Sequence, residues 1–181
     1  MVFNTAIVNT KNELITIDSI RQHIINGTVY SLSDASLNLA ADASLNYAVV
    51  TDGTHTVKLK VYVDNDTSAN YRLIEDASWN VNGTAQTLYN FNRNSSETPG
   101  VKIYKLPTLT GPQWATGTVI LSKHSFANNG TGVQGKSNIG TGSDEYSMIL
   151  NKSKLYLVNI VNRGAAVGSI AVRIRVTEGS V

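Results

Sequence analysis

From Thr56 to Asp64 apolar residues fall on alternate positions: Val57, Leu59, Val61 and Val63 are interleaved with Lys58, Lys60 and Tyr62. An extended chain places successive side chains on opposite faces, so this run predicts a strand with one buried and one wetter side. Shorter runs with strand signals, bounded by Gly, Asn or Asp, cover residues 71–75, 78–81, 86–89, 101–106, 117–122, 146–150, 154–162 and 168–177. Residues 47–51 precede Asp52-Gly53, a tight-turn pair that predicts a hairpin into the Thr56 strand, and Asn82-Gly83 reads as a second tight turn. Many short strands and no convincing long helix predict an all-β fold, an antiparallel sandwich that is jelly-roll-like.

Two runs depart from the half-exposed kind. In residues 155–161 both parities are apolar, with Leu155, Leu157 and Val161 on one side and Tyr156, Val158 and Ile160 on the other. Such a strand is covered on both faces, by its own chain or by a second subunit. Leu155, Tyr156, Leu157, Val158 and Ile160 are accordingly the candidate oligomer interface. The last strand points Val172, Ile174 and Val176 inward and Ala171, Arg173, Arg175 and Thr177 outward. Its two arginines share a face, which suits solvent, a cross-strand carboxylate or a docking contact to another protein.

Periodicity does not arbitrate the N-terminus. Leu14, Ile17, Ile20 or Arg21, and Ile24 are helically spaced, while Leu14-Ile15-Thr16-Ile17 also reads as a strand. The strand reading is taken, which divides the chain into an arm and first strand over residues 1–28 and a single β-sandwich domain over 29–181. Residues 128–142 hold five of the 14 glycines and are expected to form a long loop.

Asn, Thr and Ser make up 54 of the 181 residues, a supply of side chains that bond their own backbone in turns. The absence of cysteine excludes disulfides, thiolate metal sites and cysteine nucleophiles. Fifteen basic against 13 acidic residues give +2, no footprint for nucleic acid. No apolar run approaches the ~20 residues of a membrane span, and the N-terminus lacks the basic and apolar regions of a signal peptide. Neither nucleic acid nor membrane is an expected partner.

Gly130-Thr131-Gly132-Val133-Gln134-Gly135-Lys136-Ser137 fits the phosphate-loop pattern G-x-x-x-x-G-K-[ST]. That pattern works only between a buried strand and a helix, and Asn138-Ile139-Gly140-Thr141-Gly142 cannot start one. His23, His55 and His124 are not spaced as metal ligands, and Asp64-Asn65-Asp66 lacks the glycine and distal glutamate of a calcium loop. With no G-x-S-x-G elbow and few carboxylates, no catalytic residue, cofactor or metal is expected, and the chain reads as a non-enzyme. Trp79 and Trp114 could form a sugar-stacking platform, although such aromatics are more often core or cross-strand pairs.

Ala85-Gln86-Thr87-Leu88-Tyr89-Asn90-Phe91-Asn92-Arg93-Asn94-Ser95-Ser96, followed by Val101-Lys102-Ile103-Tyr104-Lys105-Leu106-Pro107-Thr108, resembles a family of tailed-bacteriophage virion proteins. That family carries T-x-Y-N-x-N-R-N-S-S and then a V-x-Y-x-x-P-T strand. Met148-Ile149-Leu150-Asn151-Lys152-Ser153-Lys154-Leu155-Tyr156-Leu157-Val158 is similar to its W-I-L-K-x-N-x-x-Y-L-V, with Met148 in place of Trp. The likeness spans roughly residues 20 to 178, and only the N-R-N-S-S segment is distinctive. It implies a capsid decoration (auxiliary or cement) protein, made in the host cytoplasm and bound to the outside of the head. Proteins of this kind are commonly homotrimers that clamp neighbouring major capsid subunits. A glycan- or receptor-binding module of a head fibre or tail is the alternative. Asn92, Arg93, Asn94 and Ser95 are the candidate structural turn, Asn and Ser bonding their own backbone and Arg93 free to tie two strands through its planar fork.

Overall fold

The computed structural model describes residues 5–8, 14–17, 19–79, 83–106, 114–125, 137–140 and 147–179. Two strands, β1 (Thr5–Val8) and β2 (Leu14–Ile17), form a two-stranded sheet of their own, and α1 (Ser19–Ile25) follows. The ambiguous N-terminal pattern thus divides: its first half is a strand and its second half is one short helix. Strands β3 (Val29–Leu39), β4 (Ser44–Val50), β5 (Thr56–Asn65) and β6 (Ala69–Trp79) come next. An excursion through β7 (Thr84–Ala85), β8 (Tyr89–Asn90) and β9 (Lys102–Leu106) then leads to β10 (Trp114–Ser125). The chain closes with β11 (Ser137–Gly140), β12 (Met148–Leu150), β13 (Leu155–Asn162) and β14 (Gly168–Gly179).

One sheet has the order β10-β6-β13-β4-β9-β7, the other β11-β5-β14-β3-β8 with β12 also on β5. With β11 and β12 counted as one interrupted strand, the pairs are nested: β3 with β14, β4 with β13, β5 with β11 and β12, β6 with β10, all antiparallel. Successive strands cross from one sheet to the other except between β6 and β10. Four nested ribbons wrapped into two four-stranded sheets are the jelly-roll arrangement. The β7–β9 excursion extends both sheets on one side, β9 pairing with β4 and β8 with β3.

The alternation read from β5 holds. Val57, Leu59, Val61 and Val63 join Ile170, Val172, Ile174 and Val176 of β14 and Tyr47, Val49, Tyr156, Val158 and Ile160 of the facing sheet in one inter-sheet core. Fully burying each aliphatic side chain contributes on the order of 1.5–3 kcal/mol, so this layer dominates the stability of the fold.

Several expectations are corrected. Asp52-Gly53 does not turn a hairpin, because β4 and β5 lie in opposite sheets. Asp52 instead accepts hydrogen bonds from the N–H groups of Thr54 (3.0 Å) and His55 (2.8 Å), shaping a crossover between layers. Residues 78–81 are not a separate strand, since β6 runs unbroken to Trp79; residues 80–82 lie outside the described residues. The run 86–89 is only the approach to a two-residue strand. Part of the supposed loop 128–142 is β11, paired with residues 62–65 of β5.

Each end of the sandwich is tied by side chains. At one end the Asn162 amide donates to the carbonyls of Leu39 (2.8 Å), Ala40 (3.2 Å) and Ala166 (2.9 Å) and accepts from Thr67 Oγ1 (3.0 Å) and Gly164 N–H (2.8 Å). One buried asparagine thereby joins three inter-sheet connections. At the other, Thr51 Oγ1 donates to the Asn151 carbonyl (2.8 Å) and accepts from Lys154 N–H (2.9 Å).

Candidate functional site

The run that carries the family resemblance is built into the frame. Asn90 Oδ1 accepts from Asn92 N–H (2.8 Å), Asn92 Oδ1 from Asn94 N–H (3.1 Å), and Ser95 Oγ from Glu97 N–H (3.1 Å). These are consecutive side-chain turns, as the candidate turn at Asn92, Asn94 and Ser95 requires. Sequence reasoning missed where the turn docks. Helix α1 ends in a left-handed Gly27 (φ 71°), with Thr28 N–H on the His23 carbonyl and Gly27 N–H on the Ile24 carbonyl. That helix end leaves carbonyls over, and the amides of Asn90 and Asn92 donate to the carbonyls of Gly27 (2.7 Å) and Ile25 (2.9 Å). A Cβ on Gly27 would meet the Ser95 side chain, so glycine serves both the backbone turn and the close approach. Among the described residues Arg93 ties no two strands together; its guanidinium lies over the Tyr89 ring, 5.6 Å from the centroid.

The far limb of the excursion is fastened by two acids. Glu178, buried in β14, accepts from Val101 N–H (2.8 Å) and Gly100 N–H (3.2 Å). Asp34 of β3 accepts from Tyr47 OH (2.7 Å) and pairs with Lys105 of β9 at 2.5 Å, bridging the two sheets along their extended side. Burial pushes the Asp34 carboxyl up, but hydrogen bonds from Lys105, Tyr47 and the Ala35 N–H outweigh it and hold the group below the usual carboxylate range. On the crossover, His55 Nδ1 and Asp52 Oδ2 are 2.6 Å apart. The hydrogen bond to Asp52 raises the His55 pKa. Asp52 is held low because hydrogen bonds from His55 and Thr54 outweigh its desolvation.

The candidate interface strand β13 is enclosed within a single chain. Tyr156, Val158 and Ile160 fill the inter-sheet core, and Leu157 lies in a second apolar cluster on the outer face of its sheet with Ala48, Ile74, Ala77 and Leu106. All four β13 residues are 0% exposed, and Leu155, at 40%, is the one member of the candidate set with surface to offer a neighbour. Cover on both faces, expected from sequence, is therefore present without a second subunit. On the same outer face Asn159 donates to Asn46 (2.7 Å), and Asn46 donates to Ser44 Oγ (2.7 Å), all three being buried.

The outer face of the other sheet is basic. Register sets Lys60 of β5, Arg175 of β14, Ser31 of β3 and Tyr89 of β8 side by side in one row. The next row holds Tyr62, Arg173 and Ser33, and Lys58 stands opposite Thr177 on the other flank. The Arg173 guanidinium lies over the Tyr62 ring at 4.5 Å from its centroid, with the Lys60 ammonium at 5.6 Å. Beyond Arg173 the face turns small and acidic, with Ala35, Ala171 and Asp64 lining an open groove.

Chemistry-bearing residues are dispersed. Among the described residues no three His, Cys, Asp or Glu side chains gather to hold a metal. His23 contacts Thr28, His55 contacts Asp52, and His124 contacts Asn70. Ser137, where a phosphate loop would begin its helix, opens strand β11, and residues 130–136 of that motif lie outside the described residues. Trp79 and Trp114 are direct register partners across β6 and β10, the cross-strand arrangement weighed against a sugar platform. The chain matches no protein-family model, no curated protein and no solved structure.

Proposed function

We propose that this protein is a bacteriophage capsid decoration protein, which binds the outside of the assembled head and stabilises it without catalysing a reaction. The observation that carries the reading is the role of the resemblance-bearing run: residues 85–106 extend both sheets and cap α1, so the run builds a scaffold rather than a reaction centre. A jelly roll with closed ends and one polar, charged sheet face suits adhesion across subunit boundaries. A ligand of the assembled shell stabilises it by mass action, and repeated copies add avidity. A trimer, which the resemblance also implies, would draw little from β13 beyond Leu155.

The test is cosedimentation of the purified protein with shells of the major capsid protein from the same phage genome, with parallel measurement of shell disassembly temperature and of the free protein's mass by light scattering. Saturable binding with a raised disassembly temperature is expected. A protein that stays in the supernatant and leaves the shells unchanged overturns the reading. A dose-dependent signal on a glycan array without shell binding transfers it to a fibre or tail module.

A further inference from the structure

We propose that Asn26-Gly27, at the end of α1, is a self-modification site at which Asn26 converts to isoaspartate, and that the docked turn over residues 90–95 keeps the site silent. This goes beyond the virion reading, since it concerns the chain's own chemistry and needs no partner.

An asparagine followed by glycine favours this reaction because no Cβ hinders the attacking nitrogen. The Gly27 backbone nitrogen gives up its proton and attacks the Asn26 side-chain carbonyl carbon, Cγ. The new N–Cγ bond closes a cyclic imide, and the Cγ–Nδ2 bond breaks as ammonia leaves with that proton. Water then opens the imide at either carbonyl, giving aspartate or isoaspartate, so neither oxidant nor cofactor is consumed. Asn26 is exposed, and water reaches it freely. In isoaspartate the main chain runs through the former side chain and is longer by a methylene.

Ring closure needs the Asn26 backbone to rotate until the Gly27 nitrogen meets Cγ, and four hydrogen bonds oppose that rotation. The attacking nitrogen is engaged, its N–H bonded to the Ile24 carbonyl at 3.0 Å. Asn26 Oδ1 accepts from Gln22 Nε2 at 2.8 Å, which draws the side chain back toward the preceding turn of α1. The docked turn holds the carbonyls on either side: Asn92 Nδ2 donates to Ile25 (2.9 Å) and Asn90 Nδ2 to Gly27 (2.7 Å). Gly27 is buried against Ser95, where even a Cβ has no room, so a lengthened chain cannot seat there. The site therefore reacts only when the turn lifts from α1, a local opening that leaves the sandwich folded. Because the product no longer fits beneath the turn, each event leaves the helix end permanently undocked.

The experiment incubates the intact protein in warm, mildly alkaline buffer beside a synthetic peptide of residues 20–32. Conversion at Asn26 is followed by peptide mass spectrometry, with isoaspartate identified by isoaspartyl methyltransferase labelling. Conversion in the folded protein should be at least about tenfold slower than in the peptide, because its rate follows the population of the opened state. N92A, which removes the donor to the Ile25 carbonyl, should speed it about threefold or more. Q22A, which frees the Asn26 side chain without touching the sandwich, should speed it about twofold or more. L157A, which weakens the outer cluster of the other sheet, should leave it within about twofold of wild type. Folded protein that converts as fast as the peptide overturns the inference, as does a rate that neither N92A nor Q22A raises. A peptide that does not convert removes the site altogether. Equal acceleration by L157A and N92A would assign the protection to the whole fold and overturn the role of the turn. Shell binding enters none of these outcomes, so this proposal and the decoration reading fail separately.

Discussion

Across the outer face of one sheet, Ile74, Leu157, Ala48 and Tyr104 stand side by side on β6, β13, β4 and β9, and the first three are fully withdrawn from solvent. Across the outer face of the other, the equivalent row is Lys60, Arg175, Ser31 and Tyr89, running from a lysine that is 6% exposed to a tyrosine that is 56% exposed. Both rows sit on strands whose opposite parity builds the same core. The difference lies in the outward residues alone: one row is apolar and withdrawn, the other polar and open to solvent toward its β8 margin. Substitutions on the two faces should therefore differ in what they cost the fold.

The largest effect should come from Leu157→Ala. Leu157 has no surface, and its removal leaves a cavity bounded by Ala48 and Ile74, costing roughly 2–5 kcal/mol. Chemical denaturation should show this as a lowered midpoint with unchanged slope. A cost below about 1 kcal/mol, the level of an ordinary surface change, would break the comparison by making the outer cluster peripheral.

Next comes the buried amide pair on the same face. Asn46→Ala removes the acceptor of Asn159 Nδ2 and the donor to Ser44 Oγ, and stranding buried polar groups costs about 1–3 kcal/mol. Asn159 Oδ1 already lacks a hydrogen-bond partner among the described residues, so this network is only partly satisfied. Replacing both asparagines by leucine removes the pair together with its unmet group and should cost less than Asn46→Ala alone. A double variant weaker than the single one would show that the amides specify the packing of this face.

How much of this was legible depends on which neighbour decides a residue's fate. Inward parity was legible in β5, β13 and β14 because their apolar residues recur at period two, and double cover of β13 was legible because both parities are apolar. Strand β3 was missed altogether. Its outward Ser31 and Ser33 and its Asp34 read as loop chemistry, while the inward Tyr30 and Leu32 were too few to set a period. Asp52-Gly53 misled because turn chemistry is local, whereas the choice between hairpin and crossover rests with β13 and β14, about a hundred residues away. The turn at Asn92, Asn94 and Ser95 was legible for the same local reason. Its docking on α1 was not, since nothing in an asparagine says which distant carbonyl it will meet. The basic face was half visible: Arg173 and Arg175 share a parity in the sequence, but Lys58, Lys60 and Tyr89 join them only through register.

On the basic face itself, R173A/R175A should change folding stability by no more than about 0.5 kcal/mol, a typical surface value, and relief of like-charge crowding can make the change favourable. Thermal unfolding at low and moderate salt checks this: wild type should gain stability from added salt more than the variant does, because screening relieves a repulsion that the variant lacks. A destabilisation as large as that of Leu157→Ala would mean that the arginines hold the sheet together, and the division between faces would fail.

Smaller still is the pH response, which the two faces should not share in. Neither row carries a histidine. The crossover differs, because His55 is raised above its ordinary 6.5 and Asp52 is lowered below its ordinary 3.8, chiefly through their mutual hydrogen bond in the first case and through bonds that outweigh desolvation in the second. Glu178 raises His55 further and Lys152 opposes it. A raised histidine contributes stability that is complete below 6.5 and fades as pH climbs through its folded value; a lowered aspartate contributes stability that is complete above 3.8 and fades as pH falls through its folded value. The pair's contribution is thus a plateau between those limits, small because both groups touch solvent. Unfolding midpoints measured from pH 5 to 8 should decline slightly above 6.5 in wild type and in R173A/R175A alike, and the decline should be reduced in His55→Gln. A decline that vanishes in R173A/R175A and persists in His55→Gln would place the titration on the basic face, and that face would then be a switch instead of a permanent surface.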